Sequence, residues 1–345
     1  MRYVARTIAA AALSASALAA TALAVTAPAQ AADKITVCAL TFVSSSPLFI
    51  AADKGYYKAE GLEAEFKFFR AATPVAVGVA SGDCDFGVTG LTAGFYNLAG
   101  KGALKIIGAQ SREEPGYDFV AYLASNKAYK AGLTDIKKLP GHSVGMTQVG
   151  STFHYNIGML AVKYGWDMKQ VKLRPLQSVP NMLAAVKSGN VDMIPMVAHI
   201  AVAFDKRGLA KIVGWVHAET PWQLGALFTS TKNVETRRGV VERFVRAYQQ
   251  AATDYYKAFN KLDANGKRVF GAEAKALAPI IQKYTKAKPA NIYAGAPFID
   301  PMGRLKLKPI HEQIAWYKSM GLVDKSVDPA KFIDTSFIKG HMDKP

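Results

Sequence analysis

Four short segments rich in hydroxyl groups and glycine carry the chemistry this sequence offers. They are Ser44-Ser45-Ser46, Thr89-Gly90-Leu91-Thr92, Val149-Gly150-Ser151-Thr152 and Met196-Val197-Ala198-His199. Each follows a β-rich run, and backbone N–H groups at the start of a helix are free to bind anions there. Hydroxyls from Ser45, Ser46, Thr89, Thr92, Ser151 and Thr152 add donors, with Gly90 inside the second segment. Any one of these hydroxyls is equally explained as a helix N-cap; the four segments together point to ligand binding. His199 and His154 could titrate or donate to an anion. Arg112 could pair an acid in bidentate fashion, although Glu113 and Glu114 follow it directly. Asp85 and Asp192 open their strands, at the end away from these loops. A donor-rich, acid-poor set suits an oxyanion. Phe42, Phe153 and Trp222, with Trp215 as a further aromatic, leave room for an organic body, so a sulfonate or carboxylate is favoured over nitrate.

Other chemistries find no support. No nucleophile and base share a motif, so no catalytic residue is assigned. The two cysteines, Cys38 and Cys84, lack any CxxC or Cys/His ligand spacing, so no metal or other cofactor is expected. Two thiols permit one disulfide or two buried unpaired side chains. The formal net charge is +17. Its lysines are scattered among acids rather than gathered into a basic block interleaved with aromatics, which argues against nucleic acid. A positive field suits small anions or an acidic partner surface.

The elements that must position these loops alternate. Strands are expected at 35–40, 64–69, 85–88 and 104–109, and again at 143–146, 171–176, 192–196 and 210–215. Helix-length segments separate them, including one with Thr73 as N-cap and others at 151–164 and 179–188. Such spacing implies parallel pairing through crossover helices. A β-rich run at 225–230 leads into helical sequence from about Glu235. Val77 to Val88 echoes Leu183 to Ile194: a helix, a Ser-Gly end, a polar turn, an Asp and a hydrophobic strand. Two such units suggest two related lobes with a cleft between them.

The first 31 residues have a basic start (Arg2, Arg6), an uncharged Ala/Leu/Val run and a closing Ala29-Gln30-Ala31. This is the pattern of a secretory signal peptide cleaved after Ala31, which leaves 314 residues and, without the two arginines, a charge of +15.

The chain resembles the periplasmic substrate-binding proteins of ABC importers, in the group of sulfonate, taurine and nitrate binders and the pyrimidine-precursor (NMT1/THI5-like) proteins of thiamine synthesis. The resemblance rests on Phe49-Ile50-Ala51-Ala52-Asp53-Lys54-Gly55-Tyr56-Tyr57, Ser81-Gly82-Asp83-Cys84-Asp85-Phe86-Gly87, Leu139-Pro140-Gly141-His142-Ser143-Val144-Gly145, Ser188-Gly189-Asn190-Val191-Asp192 and Trp316-Tyr317-Lys318-Ser319-Met320-Gly321-Leu322, in that order. It implies an α/β, two-lobed Venus-flytrap (type II) fold with two hinge crossings, near Tyr122–Ala124 and Leu224–Thr229. Lobe one would be 32–123 plus 227–345, with the C-terminal helices packed on it, and lobe two 124–226. In that fold the strands around Cys38 and Cys84 are parallel neighbours, so a Cys38–Cys84 disulfide is expected, with Cys38 early in its strand.

The implied function is a non-enzymatic, monomeric periplasmic carrier of a small organic anion, with an inner-membrane ABC permease as partner. A sensor subunit for a receptor kinase is the alternative. A pyrimidine-precursor enzyme is the lesser one, because the cysteine- and histidine-dense segment of those relatives has no counterpart here. Intact-mass analysis of the exported protein should find a chain beginning at Ala32; Met1 retained in a membrane fraction would contradict the signal-peptide reading.

Overall fold

The computed structural model describes residues 31–343, so residues 1–30 of the expected signal peptide lie outside the described residues. Strands β1 (Asp33–Ala39), β2 (Leu62–Phe68), β3 (Phe86–Gly90) and β4 (Leu104–Ala109) build a first sheet. Strands β5 (Val120–Ser125), β6 (Ser143–Met146), β7 (Lys172–Pro175), β8 (Met193–Val197) and β9 (Ala210–Trp215) build a second. Strand β10 (Gly225–Ser230) then returns to the first. The interleaved helices are α1 (Ser46–Asp53), α2 (Tyr56–Ala59), α3 (Ala72–Ser81), α4 (Ala93–Gly100), α5 (Asn126–Lys130), α6 (Thr152–Tyr164), α7 (Val179–Ser188), α8 (Ala198–Lys206) and α9 (Val216–Glu219). After β10 come α10 (Thr231–Thr236), α11 (Arg238–Phe259), α12 (Ala272–Thr285), α13 (Pro289–Ala294) and α14 (Leu307–Ser319).

The sheet orders, β2-β1-β3-β10-β4 and β7-β6-β8-β5-β9, are the same topology used twice. Both sheets belong to one contact unit that begins at Ala32. The sequence echo is therefore a structural repeat. Helices α3 and α7 each end on a glycine in the left-handed region, Gly82 (φ 88°) and Gly189 (φ 75°), which lacks the Cβ that would clash there. The aspartate that follows ties two strands together in each half. Asp85 accepts the Thr36 N–H at 2.8 Å and Asp192 the Ser143 N–H at 2.7 Å, across an identical separation of 49 residues.

Each sheet has one member that departs from the expected parallel pairing. Strand β10 runs antiparallel to β3 and β4, and β5 runs antiparallel to β8 and β9. Both enter their sheet directly from the other half, which reverses their direction. The expected crossings are displaced for the same reason. Tyr122–Ala124 lies within β5, and Leu224–Thr229 is mostly β10. The connecting segments are instead residues 110–119 and 216–224, so the boundaries expected at 123 and 226 fall inside strands that each belong whole to one sheet. Thr73 also differs from expectation: Ala71 is the N-cap of α3, and Thr73 lies inside the helix.

Helix α11 buries Val241, Phe244, Val245, Tyr248, Ala251, Ala252 and Tyr255, a three-and-four spacing that lays one apolar stripe against α1, α2 and α12 on the first sheet's side. Helices α13 and α14 reach further. Helix α13 packs on α8, and α14 packs on both α4 and α6. Gly158 of α6 makes the second contact possible, because a Cβ there would lie 2.0 Å from the Trp316 ring.

Cys38 is bonded to Cys84, with Cα atoms 5.9 Å apart. Cys38 is the sixth of seven residues in β1, later than expected. It pairs in register with Gly87 of β3, and Cys84 precedes that strand by two residues. A bridge over 46 residues removes considerable freedom from the unfolded chain. The double variant Cys38→Ala/Cys84→Ala should lose about 2–4 kcal/mol in denaturant unfolding. Two free thiols by mass spectrometry of the oxidised protein would remove the premise.

Candidate functional site

Two adjoining cavities lie between the two halves. The inner chamber, of about 50 Å³, is walled on the first sheet's side by Leu40, Phe42, Ser44, Ser45, Thr89 and Gly90, with Gln110 and Leu224 from the crossings. On the second sheet's side Thr147, Thr152, Phe153, Val179 and Val197 close it. The outer groove, of about 730 Å³, shares Leu40, Phe42 and Val179 with it.

The chamber lies where helices begin. Ser45 is the N-cap of α1, Ala71 that of α3 and Val197 that of α8, while Thr152 and Val179 are the first residues of α6 and α7. Five helices of eight residues or more thus present their positive ends to one small space, and the chamber lining has no Asp or Glu to offset them. Helices α1, α3 and α8 have no side-chain cap, whereas Ser151 caps α6 and Ser178 caps α7. The Ser45 hydroxyl is buried without a hydrogen-bond partner. Donors without a carboxylate, at uncapped helix starts, are chemistry that would suit an anion.

Among the residues singled out in the sequence, Ser45, Thr89, Gly90 and Thr152 line the chamber and His199 lines the groove. Gly90 marks the meeting of the halves: a Cβ there would lie 2.7 Å from Cγ2 of Thr152. Ser46, Thr92, Ser151 and Trp222 line neither cavity. Ser46 donates to the Val43 carbonyl, Thr92 accepts from the Phe95 N–H and Ser151 from the His154 N–H. Trp222 is buried with its ring 4.6 Å from that of Tyr155. Arg112 is also buried elsewhere, paired with Glu114 at 2.6 Å and lying over the Phe298 ring. Of the aromatic candidates, Phe42 and Phe153 line the chamber and Trp215 lies outside both cavities.

Gln110 and Thr147 were not singled out in the sequence. Each is the first residue past a strand, β4 and β6, so the rule that picked the other loops would have found both. Gln110 donates to the Ser44 hydroxyl at 3.4 Å. It occupies the space that a side chain at residue 225 would need, 2.0 Å from the position of a Cβ on Gly225.

A family model described as NMT1/THI5 like matches residues 43–258. The chain belongs to the NMT1/THI5-like family. No curated protein matches it in sequence. Solved structures share the fold at low identity. The alkanesulfonate-binding protein SsuA from Xanthomonas axonopodis pv. citri, bound to MOPS, superposes with a TM-score of 0.69 at 17% identity, over 87% of this chain and 98% of that one. A ligand-binding component of an ABC-type import system from Staphylococcus aureus, with zinc bound, gives 0.70 at 13%, over 88% and 97%. The nitrate-binding protein NrtA from Synechocystis PCC 6803 gives 0.61 at 14%, over 76% and 69%.

In this family member neither candidate histidine is a cation at neutral pH. Burial pushes His199 down to about 3 and His154 to about 4. His199 meets the edge of Phe42 with ring centres 5.7 Å apart. His154 accepts the Gly150 N–H through Nδ1 at 3.1 Å and packs on Trp316, so it does not reach the cavities. An anion here would meet dipoles and neutral donors rather than imidazolium.

The unfolded chain protonates both histidines near pH 6.5, and the folded chain does not. Their contribution to stability is therefore complete above pH 6.5 and is lost on acidification, down to about pH 4 for His154 and about pH 3 for His199. The slope is about 1.4 kcal/mol per pH unit for each. Glu113, whose carboxyl burial holds well above its usual range, acts with the opposite sign, so the histidine part is read by difference. Unfolding of His154→Gln and His199→Gln between pH 6.5 and 4 should show a shallower loss than the parent. Identical slopes would mean that both imidazoles titrate freely in the folded protein.

Proposed function

We propose that this chain is the extracytoplasmic solute-binding component of an ABC importer and captures a small organic anion, a sulfonate or carboxylate, between its two halves. The observation that carries the reading is the acid-free chamber faced by five helix N-termini, three of them uncapped. Family membership and the binding proteins that share the fold support it. Among the described residues no helix is long and apolar enough to cross a membrane, and the export signal read in the leader supports placement outside the cytoplasm. The partners would be the anion and the importer's permease.

The ligand's acid group would take the donors of Ser45, Thr89, Gln110, Thr147 and Thr152 together with the helix N–H groups. Its organic body would lie along Phe42, Leu40 and Val179 toward the groove. The chamber has walls from both halves, so entry and exit need them to part at residues 110–119 and 216–224. A ligand that touches both walls favours the closed state by as much as its affinity for that state exceeds its affinity for the open one.

A thermal-shift screen of sulfonates, carboxylates, nitrate and pyrimidines should give its largest stabilisation with an organic acid. In calorimetry with that acid, Ser45→Ala and Thr152→Ala should each weaken binding by about 1–3 kcal/mol, the range for a hydrogen bond to a charged group. Ser151→Ala should instead cost about 1 kcal/mol of stability through the lost cap, with a smaller effect on affinity. Folded Ser45 and Thr152 variants that bind as tightly as the parent would place the site elsewhere.

A further inference from the structure

The outer groove carries more charge than a passage to the chamber needs. Its mouth holds Arg70, Lys206, Arg207, Lys286 and Lys288, and its lining has no Asp or Glu. Among the described residues none of the five takes part in an ion pair. They come from three places that the fold brings together. Arg70 follows β2, Lys206 and Arg207 end α8 in the other half, and Lys286 and Lys288 lie between α12 and α13. Like charges gathered at one mouth repel unless an anion lies among them.

Lys286 adds an independent observation. It occupies the left-handed C-cap of α12 (φ 59°), a position where glycine is favoured. A non-glycine residue held in that conformation against its steric preference points to a role for its side chain. Its ammonium bonds the Lys283 carbonyl at the end of α12 and has no carboxylate partner among the described residues. The same groove is lined by the apolar side chains of Phe69, Leu183, Ile200 and Phe204, and it shares Leu40, Phe42 and Val179 with the chamber.

We infer that the groove mouth is a second anion subsite and that the ligand is an organic dianion, with an acid group at each end of an apolar body. This rests on the reading that the chamber takes one acid group. One end enters the chamber, where dipoles and hydroxyls hold it. The body covers the apolar floor, and the far acid meets cations contributed by both halves, so the second charge also favours closure.

The test is calorimetry on the purified protein with matched probes, benzenesulfonate against 4-sulfobenzoate and octanoate against octanedioate. At least one diacid should bind about tenfold tighter than its monoacid at low salt, and this advantage should shrink as ionic strength rises. The double variants Arg70→Ala/Lys288→Ala and Lys206→Ala/Arg207→Ala should reduce the diacid's advantage while leaving monoacid affinity within about twofold. Equal binding of monoacid and diacid, with the monoacid still sensitive to Ser45→Ala, overturns the second subsite and leaves the carrier reading standing. Variants that alter melting temperature but not the diacid preference overturn it too, since the cations would then serve only the helix ends. Failure of all four probes to bind removes the carrier reading and this inference together.

Discussion

The architecture depends on two crossing segments bonded to each other. Gln110 donates to the Gly225 carbonyl at 3.1 Å, the Gly225 N–H returns to Ser111 at 3.1 Å, and the Glu113 N–H reaches Trp222 at 3.0 Å. Gln223, fully buried between them, donates to the Ser111 and Gly225 carbonyls and accepts from the Lys306 N–H. A chain that passes once into a second sheet and once back must send one strand into each sheet from the far side. Strands β5 and β10 are those strands, and their reversed direction follows. With two sheets of equal order joined in this way, the loops after β1, β3, β6 and β8 face one another, and the helix starts converge as a consequence.

That convergence leaves polar groups in places that water does not easily reach. The Ser45 hydroxyl in the chamber and the Glu113 carboxylate, Tyr122 hydroxyl and Trp222 indole N–H around the crossings are buried without side-chain partners. Burial pushes the Glu113 carboxyl up, which favours its neutral form where a carboxylate would be costly. The chamber wall offers helix dipoles and hydroxyls and has no cationic side chain. An anion placed there would face no cationic partner that must itself be desolvated.

Contacts made by residues that flank the chamber lining also join the halves. Ala93 donates to the Gly150 carbonyl at 2.9 Å, Gln148 to the Thr73 hydroxyl at 2.8 Å, and Tyr317 to the Ser151 carbonyl at 2.9 Å. Trp316 lies over Gly158 and beside His154. Helices α13 and α14 therefore pack against elements of both halves.

The sequence by itself determined the local elements. Strands 143–146, 210–215 and 225–230 needed no correction, because alternation, β-branched residues and glycine stops are properties of neighbouring residues. The repeat was legible for the same reason, as were the loops holding Ser45, Thr89 and Thr152. Tertiary structure alone decided which hydroxyls face the cavity. Ser151 and Thr152 are adjacent and chemically alike, yet one caps its helix and the other lines the chamber, since successive residues at a helix start point in different directions. It also decided that β5 is a central strand, as Val120–Ser125 is a continuous buried run whose reversal depends on which sheet it joins. The groove's five cations lie at positions 70, 206–207 and 286–288, and no spacing in the chain announces that they share one mouth. Local pattern encodes which elements form; the meeting of distant residues depends on packing between elements, which only the assembled fold supplies.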